Sequence, residues 1–244
     1  MAKTLDILFG AVLGLASLVA QATPLVGRDI NRAAVGASDA SAVYLWDQDL
    51  GITWLRDANV NGAQNNWATQ NLWAQNLVTG TGANAVSDWR LTTATDYGNN
   101  GCPAFSNAGG PGTDCAMNAD PSGSEMVHLY YVTLGNLAMC APGDETCTSS
   151  QLGYGLSNVG DFLNMHTGLY WSGSELANNA NRVWRFNTVT GGQSNRPKVG
   201  TEPMFAMAVR DGDVLSAQVP EPGTLALFGL ALAGLAASRR KRSA

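Results

Sequence analysis

The chain ends with three consecutive segments: a short proline-containing motif, an apolar run and a basic cluster. They are Val219-Pro220-Glu221-Pro222-Gly223, residues 224–237, and Arg239-Arg240-Lys241-Arg242. An apolar helix of 14 residues spans about 21 Å, which is shorter than the ~30 Å hydrocarbon core of a bilayer. Following cations mark a cytoplasmic end, and snorkelling arginines let a short span cross a thinned bilayer. We therefore expect a short transmembrane segment suited to temporary anchoring, with the folded domain upstream of it.

The order of these segments resembles the PEP-CTERM sorting signal. The resemblance covers residues 219–244, and its motif residues are Val219, Pro220, Glu221 and Pro222. It implies a Gram-negative, exopolysaccharide-producing bacterium and an exosortase partner, a membrane protease that cuts near the motif. The expected location is beyond the inner membrane, in the periplasm, on the outer surface or in the extracellular matrix. Because two prolines fix φ and remove amide donors, the motif is expected to be extended and accessible.

Residues 1–22 have the order of a signal peptide. Lys3 precedes an apolar stretch at residues 7–20, and Ala20-Gln21-Ala22 fits a small-x-small cleavage site. The alternative is a buried N-terminal helix. The order of these segments favours a signal peptide for export over a buried helix.

The part between the two ends is acidic. The formal net charge of the whole chain is −5. Because the C-terminal basic cluster contributes only positive charge, the part between the two ends is more negative than the chain as a whole. Such a domain repels nucleic acid, so no nucleic-acid partner is expected. It also repels anionic polysaccharide, unless a local basic patch or bridging cations are present.

The four cysteines, Cys102, Cys115, Cys140 and Cys147, all lie in this part. An even count in an oxidising compartment predicts disulfides, with three pairings open. Cys102–Cys115 and Cys140–Cys147 are favoured because each pair brackets a loop rich in Gly, Pro and Asp. The alternative, a zinc site, lacks the spacing of paired cysteine ligands.

Short apolar runs and capping signals predict an α+β domain with two helices, short antiparallel strands and long loops, together with terminal hydrophobic targeting helices. Asn66 is expected to cap the first helix, and Ser122 with Glu125 forms a capping box for the second, which Gly135 closes. Residues 23–40 are expected to be a short linker or a first edge strand, and residues 214–218 a linker, around a domain at 41–213. The predicted strands are 42–47, 52–55, 169–172, 182–186 and 204–210, with a hairpin turn at Gly191-Gly192.

Several segments in order resemble the Lcl C-terminal domain family, over about residues 43 to 213. They include Leu50-Gly51-Ile52-Thr53-Trp54-Leu55, Asp88-Trp89-Arg90-Leu91, Tyr170-Trp171-Ser172-Gly173-Ser174, Trp184-Arg185-Phe186 and Met207-Ala208-Val209-Arg210. The family usually has proline where this chain has Thr92. The resemblance implies a C-type-lectin-like or formylglycine-generating-enzyme-like fold, in which early and late strands pair. Some members of the family bind sulfated glycans.

Catalytic chemistry has little support in the sequence. His128 is expected to be a satisfied structural histidine on the second helix, and His166 has no nucleophile motif nearby. Asp47/Asp49 and Asp211/Asp213 are i, i+2 pairs, whereas glycoside hydrolysis needs two carboxyl groups across a cleft. No set of catalytic residues can be assigned, so a non-enzymatic role is favoured.

The candidate ligand-binding residues are few. Arg182 and Trp184 share one face of a predicted strand and could pair a cation with a sugar-stacking indole, although core packing of Trp184 is favoured. No cofactor is predicted except calcium, for which Asp114, Asn118 and Asp120 form the best oxygen cluster. The leading hypothesis is a non-enzymatic glycan-binding or structural module of the envelope or extracellular matrix. The alternatives are an envelope enzyme acting on polysaccharide or protein, and a purely structural matrix protein.

Overall fold

The computed structural model describes residues 24–98, 102, 105–200 and 202–215. The predicted signal peptide, the sorting motif and the apolar run at 224–237 lie outside the described residues. Among the helices that are described, none is long and apolar enough to span a membrane. The described chain is mostly β-sheet with two short helices, which agrees with the α+β class at that level.

A six-stranded sheet contains the first strands and the last strand. Its strands are β1 (Val26–Asp29), β2 (Ala34–Val35), β3 (Ala42–Asp47), β4 (Ile52–Leu55), β5 (Arg90–Leu91) and β10 (Ala208–Asp211). Their order across the sheet is β2-β1-β3-β4-β10-β5. Strand β10 pairs antiparallel with β4, with Val209 opposite Trp54. An early strand and a late strand therefore hold the sheet together.

A four-stranded sheet consists of β6 (Ala116–Met117), β7 (Leu169–Leu176), β8 (Asn179–Asn187) and β9 (Gly192–Pro197). Their order across the sheet is β6-β9-β8-β7. Gly191 has φ 73°, a left-handed conformation that glycine adopts readily, in the turn between β8 and β9. The predicted hairpin turn is present there, but it leads into β9, a strand that the sequence did not predict.

For residues 24–40, the structure shows the strand alternative in place of a linker. This segment supplies β1 and β2, and β1 lies between β2 and β3. The guanidinium of Arg28 makes two hydrogen bonds to the carboxylate of Asp213, at 3.1 and 2.6 Å. In the second predicted linker, Val214 is buried in a core cluster with Tyr44 and Trp89. Residues 24–40 and Val214 are therefore part of the folded domain.

The first helix, α1 (Trp67–Asn76), begins as predicted. The side chain of Asn66 accepts a hydrogen bond from the backbone N–H of Thr69 at 3.0 Å, which satisfies one exposed amide of the first turn.

The second helix, α2 (Glu125–His128), begins two residues later than the predicted capping box requires. Ser124 is its N-cap, while Ser122 hydrogen-bonds to Asp120. The carboxylate of Glu125 contacts Arg90 and the backbone N–H of Thr93, so it is not available for the capping box. The chain continues as a π-helical turn (Leu129–Thr133), and Gly135 follows with φ 65°.

The main core lies between the sheets and α2. It contains Leu45, Trp54, Tyr130, Phe186 and Val209, each with no more than 1 % of its surface exposed. Both favoured disulfides, Cys102–Cys115 and Cys140–Cys147, are present. All four cysteines are therefore oxidised, which leaves no thiolate for the alternative zinc site.

Candidate functional site

A groove lies beside the outer part of β9 and the segment that follows it. Its volume is about 310 Å³, and its lining residues are Trp171, Arg196, Pro197, Val199, Gly200 and Glu202. This volume is at the lower end of the range for small-molecule sites. The groove is therefore large enough for one or two sugar units.

The strand register places three polar side chains, those of Arg185, Ser194 and Arg196, on the same face of the sheet as the groove. Arg185 lies opposite Trp171 on β7 and opposite Ser194 on β9. Val183, two residues earlier on β8, lies opposite Arg196. Because side chains alternate along a strand, Arg185 and Arg196 belong to one face. Arg185 donates a hydrogen bond from Nε to the Ser194 hydroxyl at 3.1 Å.

Glu202 lies between two guanidinium groups. Its Oε2 is 4.0 Å from Arg185 Nη1 and 3.5 Å from Arg196 Nε. Burial, reinforced by the nearby charge of Arg196, lowers the pKa of Arg185. These contacts are long and involve one carboxylate oxygen only, unlike the strong bidentate arginine–carboxylate geometry. The guanidinium groups therefore retain donors that can bind another anion.

A tryptophan and a lysine extend this face. The indole N–H of Trp67, at the start of α1, donates to the carbonyl of Ser172 at 2.9 Å. The ammonium of Lys198 lies 4.8 Å from the centre of the Trp67 ring and forms an ion pair with Glu175. This cation–π contact fixes the lysine next to groove residues Pro197 and Val199.

The predicted pair Arg182 and Trp184 does not form a surface site. Trp184 has 0 % of its surface exposed and packs with Ala94, Cys115 and Leu176. Its indole face is covered by protein, so it cannot stack on a sugar. Arg182 Nε donates to Asn195 Oδ1 at 2.5 Å, on the opposite face of the sheet from Arg196.

The calcium candidates Asp114, Asn118 and Asp120 hydrogen-bond to backbone groups of the protein. Asp114 Oδ2 accepts the Tyr97 amide at 2.9 Å, and Asp120 Oδ2 accepts the Gly112 amide at 2.6 Å. The Asn118 side chain donates to the carbonyl of Cys140 at 3.0 Å. These contacts stabilise the disulfide-bonded loop, and calcium binding there stays a prediction.

Sequence reasoning missed the residues of the groove. Strand β9 reads Gly-Gln-Ser-Asn-Arg-Pro, so it lacks the alternating apolar residues that indicate a half-buried strand. Its place in the sheet depends on pairing with β6 and β8. The only local signal was the run of basic residues Arg196 and Lys198 after the Gly191-Gly192 turn.

Comparison with known proteins identifies one part of the chain. No curated protein and no solved structure is significantly similar to it. Residues 218–241 match the family described as PEP-CTERM protein-sorting motif, and this match includes all four expected motif residues, from Val219 to Pro222. The match indicates a protein that is exported in a Gram-negative bacterium and sorted by an exosortase.

Proposed function

We propose that this exported protein is a non-enzymatic module of the cell envelope or extracellular matrix that binds an acidic glycan in the groove beside β9. The observation that carries the proposal is the pair Arg185 and Arg196 around a single carboxylate oxygen of Glu202. Two guanidinium groups held on one rigid sheet face suit a carboxylate or sulfate group of a sugar.

The charge distribution supports an anionic ligand. The chain as a whole has a net charge of −5, which disfavours contact with acidic polysaccharide. The groove face differs, because Arg185, Arg196 and Lys198 lie there with only Glu175 and Glu202 as their ion-pair partners in the described chain. This local excess of cations allows an otherwise acidic domain to bind an acidic polysaccharide.

The groove exposes little aromatic surface, which limits how it can contact a sugar. Trp171, the aromatic residue among those lining the groove, is only 3 % exposed. Recognition therefore depends mainly on charged hydrogen bonds, with Trp67 as a secondary apolar surface. This distribution favours sulfated or uronic-acid sugars over neutral ones.

We also propose that the domain has a C-type-lectin-like fold. The ordered segments that resemble the Lcl C-terminal family include strands β4, β5, β7, β8 and β10. The pairing of β4 with β10, and the two helices beside the sheets, support a C-type-lectin-like arrangement.

The test is a glycan array and a pull-down on native exopolysaccharide, with the full chain and with calcium present. Arg196→Gln is expected to weaken binding to acidic glycans by about tenfold, the effect of losing one charged hydrogen-bonding group. Glu202→Gln is expected to strengthen binding, because it removes the carboxylate that competes with the ligand. Binding should also fall as salt rises.

The control variant is Arg32→Gln, which removes one cation from a different cavity. It should bind like the wild type. The proposal is rejected if the wild type binds no glycan, or if Arg196→Gln and Arg32→Gln weaken binding equally.

A further inference from the structure

A cluster of three metal-binding side chains lies at the turn between β3 and β4, and it shares no residue with the groove. Asp47, Asp49 and His128 each offer one ligand atom, and these atoms all lie within 4.8 Å of one another. We propose that these three side chains bind a divalent transition-metal ion, of the class that includes Zn²⁺ and Mn²⁺.

The chain builds the cluster from two separate elements. Asp47 ends β3, and its Oδ1 accepts the backbone amides of Asp49 and Leu50 at 3.2 and 3.1 Å. These bonds fold the turn so that the two carboxylates, two positions apart, lie together. His128 is the last residue of α2, where its amide bonds to the carbonyl of Ser124 at 2.8 Å.

Asp47 is a buried carboxylate with neutral partners. Only 1 % of its surface is exposed, and its Oδ2 accepts the indole N–H of Trp54 at 3.2 Å. In the part of the chain that the structure describes, no lysine or arginine forms an ion pair with it. Burying a carboxylate without a counter-charge is unfavourable, and a bound cation would supply that charge.

His128 departs from its expected structural role. Its Nε2 is buried and has no hydrogen-bond partner, although buried polar atoms are normally paired. An imidazole nitrogen of a neutral histidine is the commonest side-chain metal ligand, so an ion bound at this nitrogen would satisfy it. This unpaired atom is independent of the two carboxylates and indicates the same kind of ligand.

The donor set limits which ions fit. Two carboxylates and one imidazole suit zinc and manganese, whereas calcium takes oxygen ligands almost alone. Bonds of about 2.1 Å hold two ligand atoms at most about 4.2 Å apart. The three ligand atoms, all within 4.8 Å of one another, lie close to this spacing.

The experiment is isothermal titration of the full chain, in mild detergent and with both disulfides intact, with Zn²⁺, Mn²⁺ and Ca²⁺ salts. The expected result is one Zn²⁺ or Mn²⁺ per chain, with Ca²⁺ binding much more weakly. Asp49→Asn and His128→Gln should each weaken the binding by about tenfold or more, as loss of a ligand does. Asp49 is exposed, so Asp49→Asn keeps the core intact and decides the question if His128→Gln unfolds the protein.

Two matched controls remove the same chemical groups elsewhere. His166→Gln removes the other histidine, which stacks on Phe205, and Asp88→Asn removes an exposed carboxylate at a left-handed position that asparagine tolerates. Both should bind the metal like the wild type. A wild type that binds neither Zn²⁺ nor Mn²⁺, or ligand variants that bind as tightly as these controls, would overturn the proposal.

Discussion

Arg90 and Glu125 form a bidentate ion pair that connects β5 to the start of α2. Arg90 Nη1 lies 2.9 Å from Oε2 of Glu125, and Nη2 lies 2.8 Å from Oε1. The carboxylate also accepts the Thr93 amide at 2.7 Å, and Arg90 reaches Asp211 at 2.5 Å. The network thus joins the last strand, the short strand β5 and the second helix.

We expect Glu125→Gln to lower the free energy of unfolding by about 1–3 kcal/mol, because an amide nitrogen then faces a guanidinium in a nearly buried position. Urea denaturation with intact disulfides measures the change. Asp88→Asn, which removes an exposed carboxylate, serves as the control. Equal denaturation midpoints for Glu125→Gln and the wild type would contradict the role given to this pair.

Trp184 is expected to affect stability and not ligand binding. Because its side chain is fully buried, Trp184→Ala should cost about 3–5 kcal/mol. Trp184→Phe should cost less and leave glycan binding unchanged, since Trp184 faces away from the groove. Denaturation and a glycan-binding assay on the Phe variant check both statements. Lost binding in a stably folded Phe variant would restore the stacking hypothesis.

Local signals in the sequence predicted the elements that depend on neighbouring residues. The cap of α1 at Asn66, the strands β3 and β4, and the favoured disulfides are of this kind. The cap of α2 was misplaced because Glu125 is bound by Arg90, a residue 35 positions away. A pattern of neighbouring residues cannot reveal Arg90 as the partner, because Arg90 is distant in the sequence.

The candidate sites were predicted less well for the same reason. Arg196 and Glu202 meet Arg185 only after β8 and β9 pair, and β9 has no apolar alternation to reveal it. Asp47 and Asp49 were visible as a pair, but His128 is brought to them by tertiary packing alone. For Trp184 the sequence was ambiguous in another way. The arginines on either side of it do not indicate which face of the strand is covered by the rest of the protein.

The two disulfides should contribute unequally to stability. The bridges span sequence separations of 13 and 7 residues. Chain-entropy arguments then give about 2.9 kcal/mol for Cys102–Cys115 and about 2.4 kcal/mol for Cys140–Cys147, a difference of about 0.5 kcal/mol. Paired Cys→Ser variants of each bridge, compared by urea denaturation, measure this difference. A larger loss from the shorter loop would show that the entropy argument does not govern these bridges.

The sorting motif should determine the C-terminus of the mature protein. Replacement of Pro220, Glu221 and Pro222 by alanine is expected to abolish exosortase processing, because the match to the sorting family covers these residues. Mass spectrometry of the C-terminal peptide follows the cut. Ser216→Ala, outside the matched range, should be processed normally. Unchanged processing and location of the triple variant would refute the assignment.

Two buried tyrosines predict a loss of stability in alkali. Burial raises the pKa of Tyr130 and of Tyr170 to about 12, compared with about 10 in an unfolded chain. Since the folded state favours the protonated phenol, this stabilisation is complete below about pH 10 and is lost as the pH rises towards 12.

Urea denaturation midpoints measured across this range should therefore fall. The decline should be shallower in Tyr130→Phe, which cannot ionise there. Tyr130→Phe should itself be slightly less stable at neutral pH, because the hydroxyl donates to the Leu137 carbonyl at 2.9 Å. A decline of equal slope in Tyr130→Phe and the wild type would assign the alkaline transition to other groups.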